Sequence, residues 1–193
     1  MSRTAREGAL VVEETDVSLR LDAILLSRET IHKRVSELAA EIIDEFRGSE
    51  LILVGVLKGA VIFMSDLARA IGGEVDVRMD FMAVSSYGNS MSSSGAVKIV
   101  KDIDTPAEGK NIILVEDIMD TGLTLSYLGD MIMARNPSKF KICVLLEKPE
   151  RKKVECAIAY RGFSIPDKFV VGYGLDCAGK WRNLPDIWRV AEG

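Results

Sequence analysis

At 193 residues the chain is long enough for one domain with a large buried core. Hydrophobic residues make up 48% of it and aromatics only 6%, which points to an aliphatic α/β interior. A formal net charge of −4 argues against nucleic acid or an anionic membrane surface as the main partner. The first 15 residues are mixed charged and polar with no signal-type apolar region, and no apolar stretch is long enough to span a bilayer. Cys143, Cys156 and Cys177 are odd in number and lack metal-ligand spacing, so a reducing, cytoplasmic setting is expected, with Cys143 and Cys156 as buried structural thiols. A single histidine, His32, gives no basis for a Ser-His-Asp triad or a histidine-rich metal site.

The first predicted helix runs from Arg28 to Phe46, because Ile31, Val35, Leu38, Ala39, Ile42 and Phe46 recur on one face, and Gly48 ends it. Leu51 to Leu57 is an apolar strand, followed by Lys58-Gly59 and a helix to about Ile71. Gly72-Gly73 breaks that helix, and Val75 to Val84 is a second strand. The order strand, helix, strand makes a βαβ unit, for which a right-handed crossover is expected. Ser85 to Gly95 is almost free of apolar residues. It reads as a hairpin connection, an interdomain linker or a flap over a site. Val97 to Val100, leading back toward the core, disfavours the linker.

Ile112-Ile113-Leu114-Val115-Glu116-Asp117-Ile118-Met119-Asp120-Thr121-Gly122-Leu123-Thr124 is the most informative stretch. Four consecutive aliphatic residues suit a strand covered on both faces, as in a parallel sheet between helices. Asp-Thr-Gly is turn chemistry, and Leu123 to Ala134 then carries Leu125, Leu128, Met131 and Ile132 at roughly helical spacing. A helix start after a glycine turn offers free N–H groups to a phosphate, with the hydroxyls of Thr121 and Thr124 beside them. Glu116 and Asp117, at the carboxyl end of a strand, suit ribose hydroxyls or Mg²⁺. The plainer alternative makes Asp120 an ordinary helix N-cap. Phe140 to Leu146 is the next strand, Lys148 to Lys153 reads as a solvated connection, and Cys156 to Ala159 as a short strand. A turn and strand follow through Ile165 to Tyr173, and Ile187 to Val190 is a final short strand.

The Ile112–Thr124 motif resembles the phosphoribosyl-pyrophosphate (PRPP) loop of type I phosphoribosyltransferases. Val56-Leu57-Lys58-Gly59, Ser86-Tyr87-Gly88, Leu145 to Lys148 and Pro166 to Asp176 resemble, in order and spacing, the hypoxanthine-guanine members of that family. The similarity covers about residues 30 to 190. It implies a parallel twisted sheet flanked by helices (core about 30–147), with a small hood from the N-terminal segment and about 148–193. It also implies Mg²⁺-dependent transfer of the phosphoribosyl group from PRPP to a 6-oxopurine in purine salvage. By this resemblance Asp120 is the general base facing purine N7, and Asp120, Thr121, Gly122, Leu123 and Thr124 hold the 5′-phosphate. Glu116 and Asp117 face the ribose hydroxyls and, with Asp176, the metal. Lys58, Gly59 and Arg182 meet pyrophosphate; Lys148 donates to O6, Phe169 stacks on the base and the Val170 backbone faces the ring edge. Ser86 and Tyr87 begin a closing flap, a non-proline cis peptide is common at the position of Leu57-Lys58, and family members are dimers or tetramers. Two alternatives stay open: a transferase for another base such as xanthine, and a PRPP-sensing regulator without turnover.

Overall fold

A computed structural model describes residues 20–86 and 97–191. Its main sheet has six strands in the order β4-β3-β2-β5-β6-β7: β2 (Glu50–Leu57), β3 (Asp76–Ser86), β4 (Val97–Lys101), β5 (Asn111–Met119), β6 (Lys139–Glu147) and β7 (Ile158–Ser164). All pairings are parallel except β3 with β4. Helix α1 (Arg28–Phe46) begins at Ser27, whose hydroxyl accepts from Thr30 N at 3.3 Å, and buries the six residues expected of its apolar face. Helix α2 (Val61–Ile71) joins β2 to β3, and α3 (Leu123–Met133) joins β5 to β6.

The uninterrupted aliphatic runs are explained by two cores divided by the sheet. Leu51, Leu53, Ile113, Val115, Cys143 and Leu145 point to one side, packed with α1 and α2. Their neighbours Ile52, Val54, Ile112, Leu114, Ile142 and Val144 point to the other, with Leu125, Leu128 and Ile132 of α3. Side chains alternate along a strand, so a strand covered on both faces has no position left for polar residues.

Several expectations are corrected. β5 continues past Val115 to Met119, so the two acids stand within the strand. The strand expected at Cys156–Ala159 forms later, at Ile158–Ser164, and joins the main sheet. A second, antiparallel sheet in the order β1-β9-β8 unites β1 (Leu21–Leu26), β8 (Val170–Val171) and β9 (Ile187–Val190); β1 was not foreseen. In α3, Gly129 is buried in addition to the expected apolar residues, against the Phe140 ring, and Met131 is only half-buried. β3 and β4 pair antiparallel, from Ala83 with Lys101 to Ser86 with Val97. The expected flap, with Tyr87, lies between them and outside the described residues.

Candidate active site

The cleft opens where two neighbouring strands part. β2 and β5 stay paired as far as Gly55 and Val115, whereas β5 and β6 remain paired to Met119 and Glu147. Past that fork, Val56, Leu57 and Gly59 form one wall, and Glu116 to Gly122 with Thr124 form the other. Val84, Asp176 and Arg182 also line the cavity of about 320 Å³. This is the crevice beyond the carboxyl ends of parallel strands where α/β folds place ligands.

One end of the cleft has the geometry of an anion cradle. Gly122 has φ +81°, in the left-handed region that glycine enters without strain, and a Cβ there would come 3.0 Å from Val154 O. Gly122 is itself the N-cap residue of α3 and has no side chain to cap it, so Asp120 does not serve that purpose. Leu123 N donates to Thr121 Oγ1 at 3.4 Å, and Thr121 and Thr124 both face the cavity. The uncapped first turn can supply N–H donors and a partial positive charge to a phosphate. Cys156, half-buried rather than buried, backs the loop with its Sγ 3.3 Å from Gly122 O.

Beside the cradle the acids crowd one another. Asp117 is buried, and its Oδ1 accepts from Ile118 N at 3.0 Å. Glu116 is raised well above the ordinary carboxylate range, first by burial, then by the Asp117 charge and a hydrogen bond shared with it. The Gly59 backbone presses on this pair: a Cβ on Gly59 would overlap Asp117 Oδ2. Across the cleft, Asp176 Oδ1 lies 2.5 Å from Arg182 Nη2, and its Oδ2 accepts from Gly179 N at 2.7 Å. Arg182 Nη1 also donates to Gly174 O at 2.6 Å. No cluster of three or more acidic, cysteine or histidine ligands exists among the described residues. The adjacent carboxyls of Glu116 and Asp117 fit a divalent cation that takes its other ligands from substrate oxygens and water, as Mg²⁺ commonly does.

Of the expected site residues, Lys58, Lys148, Leu123, Phe169 and Val170 do not line this cavity. Lys58 is exposed and follows a cis Leu57-Lys58 peptide. Lys148 is buried, with its N–H donating to Met119 O at 3.0 Å, which sets it beside Asp120. Its ammonium donates to Asp167 Oδ1 at 3.2 Å. Phe169 keeps about half its surface exposed and is not a core residue, whereas Val170 is buried in β8. Glu147 is held by Arg161 at 2.6 Å. The reading of Lys148–Lys153 as a solvated connection is also corrected, because Arg151 Nε stands 2.6 Å from Asp120 Oδ1. Arg151 and Asp167 were missed as site residues; a basic run and a Pro-Asp turn carry no local mark of which acid or base they will meet.

The matched family model, described as a phosphoribosyl transferase domain, covers residues 24–178. A hypoxanthine-guanine phosphoribosyltransferase of Bacillus subtilis is 50% identical over 167 residues, 86% of this chain and 92% of that protein. The chain belongs to the phosphoribosyltransferase family, among its hypoxanthine-guanine members. A crystal structure of such an enzyme from Bacillus anthracis, with HEPES in its active site, superposes with a TM-score of 0.85. It is 48% identical, and the match covers 89% of this chain and all of that one. The hypoxanthine phosphoribosyltransferase of Trypanosoma cruzi, solved in a study of how its C-terminal region affects oligomeric state and activity, has a TM-score of 0.84 at 41% identity. That match covers 89% of this chain and 92% of that one. The family match takes in the cradle, the acid pair, Lys148 and Asp176, while Arg182 lies past its end.

Proposed function

We propose that this phosphoribosyltransferase moves the 5-phosphoribosyl group of PRPP to N9 of hypoxanthine or guanine, releasing pyrophosphate and yielding the nucleoside monophosphate. The observation that carries this reading is the position of Asp120. It lies between the anion cradle and Lys148, whose strand end is bonded to the residue just before it. In this reading the uncapped start of α3 with Thr121 and Thr124 holds the 5′-phosphate. Glu116 and Asp117 face the ribose hydroxyls, and Lys58, Gly59 and Arg182 hold pyrophosphate. As the bond from C1′ to pyrophosphate breaks, positive charge grows on the ribose while the purine gives up its N7 proton. Asp120 accepts that proton and stabilises the charge beside it, help of a kind worth about 10²–10⁴-fold. Mg²⁺, held by Glu116, Asp117 and Asp176 together with the substrate, would neutralise the departing pyrophosphate.

Lys148 supplies base selectivity. An ammonium is a donor only, so it suits the 6-oxo group and disfavours the 6-amino group of adenine. The exposed Phe169 ring offers a stacking face, and the Val170 backbone is assigned to the ring edge. Lys148→Ala should raise KM for hypoxanthine by at least tenfold, in line with about 1.5–3 kcal/mol for a hydrogen bond to a charged group. KM for PRPP should stay within about twofold, the contrast expected for a contact made only to the base; equal effects on both would exclude O6 recognition. A homo-oligomer, dimer or tetramer, working in the cytoplasm completes the proposal. No helix among the described residues is long and apolar enough to cross a membrane.

The direct test supplies PRPP, Mg²⁺ and one base at a time from hypoxanthine, guanine, xanthine and adenine, following nucleotide and pyrophosphate. Hypoxanthine or guanine should turn over and adenine should not, and chelating the metal should stop the reaction. PRPP binding without turnover of any base would instead make the protein a sensor.

A further inference from the structure

Four charged side chains run in a line from the cradle to Lys148. Arg151 Nε is 2.6 Å from Asp120 Oδ1, and Arg151 Nη1 is 3.5 Å from Asp167 Oδ2. Asp167 Oδ1 in turn accepts from Lys148 Nζ at 3.2 Å. The turn that carries Arg151 is fastened on both sides of Asp120. Lys148 N donates to Met119 O at 3.0 Å, and Lys153 N donates to Thr121 O at 2.9 Å. Arg151 N itself donates to Lys148 O at 3.1 Å, so the guanidinium springs from a fixed point of backbone.

The details separate the two oxygens of Asp120. Oδ1 is buried against the guanidinium and makes no hydrogen bond, although the side chain as a whole remains 44% exposed. Oδ2 is thus the oxygen left open to the cleft. Lys148, with three N–H donors, keeps two after Asp167 has taken one. Ion pairs as exposed as those of Arg151 contribute little to fold stability, so stability does not account for a line of charges at this spot. A guanidinium is always charged and presents its donors in a rigid plane, which suits it to fix two carboxylates at once.

We infer that Arg151 is a positioning residue for the base half of the site. It orients Asp120 directly and Lys148 through Asp167, so that proton acceptor and O6 donor face the same purine edge. The inference rests on the roles proposed above for Asp120 and Lys148.

Five variants of the full chain test it: Arg151→Gln, Arg151→Lys, Asp120→Asn, the Asp120→Asn/Arg151→Gln double variant and Asp167→Asn. Arg151→Gln should lower kcat and raise KM for hypoxanthine, each by roughly tenfold, since small misplacements of reacting groups carry losses of this order or more. KM for PRPP and the melting temperature should hardly move. Arg151→Lys should recover only part of the loss, because it restores charge without the fork. In the Asp120→Asn background, Arg151→Gln should lower kcat no further. Independent, multiplicative losses in the double variant would overturn the inference, as would equal rises in KM for both substrates. Near-normal turnover of Asp120→Asn alone would instead overturn the role of Asp120. Asp167→Asn reads the other arm: it should raise KM for hypoxanthine while leaving kcat close to that of the parent, and an unchanged KM would remove Asp167 from the line.

Discussion

Asp120→Asn should lower kcat with hypoxanthine by roughly 10²-fold or more while PRPP still binds. Asparagine keeps the shape of the side chain but cannot take up the purine proton or offset charge growing on the ribose. The 5′-phosphate should not register the change, because the cradle proposed for it is the backbone at the start of α3 with the hydroxyls of Thr121 and Thr124, all beyond position 120. Steady-state turnover combined with calorimetric titration of PRPP and Mg²⁺ separates the two effects. A large kcat loss with PRPP affinity within a few-fold of the parent assigns Asp120 to the chemical step. Loss of PRPP binding would make it part of the cradle, and normal turnover would leave it without a role.

Gly59→Ala should be nearly as damaging, for a steric reason. A Cβ on residue 59 would overlap Asp117 Oδ2, and a Cβ on Gly174 would likewise overlap Gly59 O. Three chain segments thus meet with no room for a methyl group. Asp117 cannot swing aside easily, being buried with Oδ1 bonded to the next residue's N–H. The added methyl must displace the acid pair or push the loop bearing Gly59 away from it. Misplacements of about 1 Å near reacting groups can cost about 10²-fold, and overpacking typically destabilises by about 1–3 kcal/mol. A fall of that order in kcat/KM for PRPP is expected, with a lower melting temperature. Gly73→Ala is the matched control: a Cβ there meets nothing within 4 Å, so its activity should be unchanged. Equal behaviour of the two variants would show that the crowding at Gly59 has no consequence.

Repeating local contacts were the most legible part of the sequence. The buried face of α1 follows from its helical spacing, and the aliphatic runs in β2, β5 and β6 follow from burial on both faces of a strand. The apolar run into Glu116-Asp117 and the Asp-Thr-Gly turn marked the cleft for the same reason, because one whole wall of it lies within a dozen consecutive residues.

What failed to show was the pairing with distant partners, and β1 altogether. β1 is a six-residue strand whose pairing residues lie more than 160 positions away in β9, and β8 has only two residues. β1 carries too few alternations to stand out, whereas β8 and β9 fall where the apolar residues predict strand. β7 formed beyond the stretch first read as a strand because its register is set by β6.

By itself, then, the sequence determined a doubly covered parallel sheet, the family and the glycine turn before α3, since local periodicity and contiguous motifs specify them. Only the tertiary structure decided that β2 and β5 part after Val115 to open the cleft, that Gly59 packs against Asp117 with Gly174 behind it, and that Arg151 faces Asp120. A charge or a glycine in a sequence can meet many partners; packing selects one of them by excluding the space and water that the others would need.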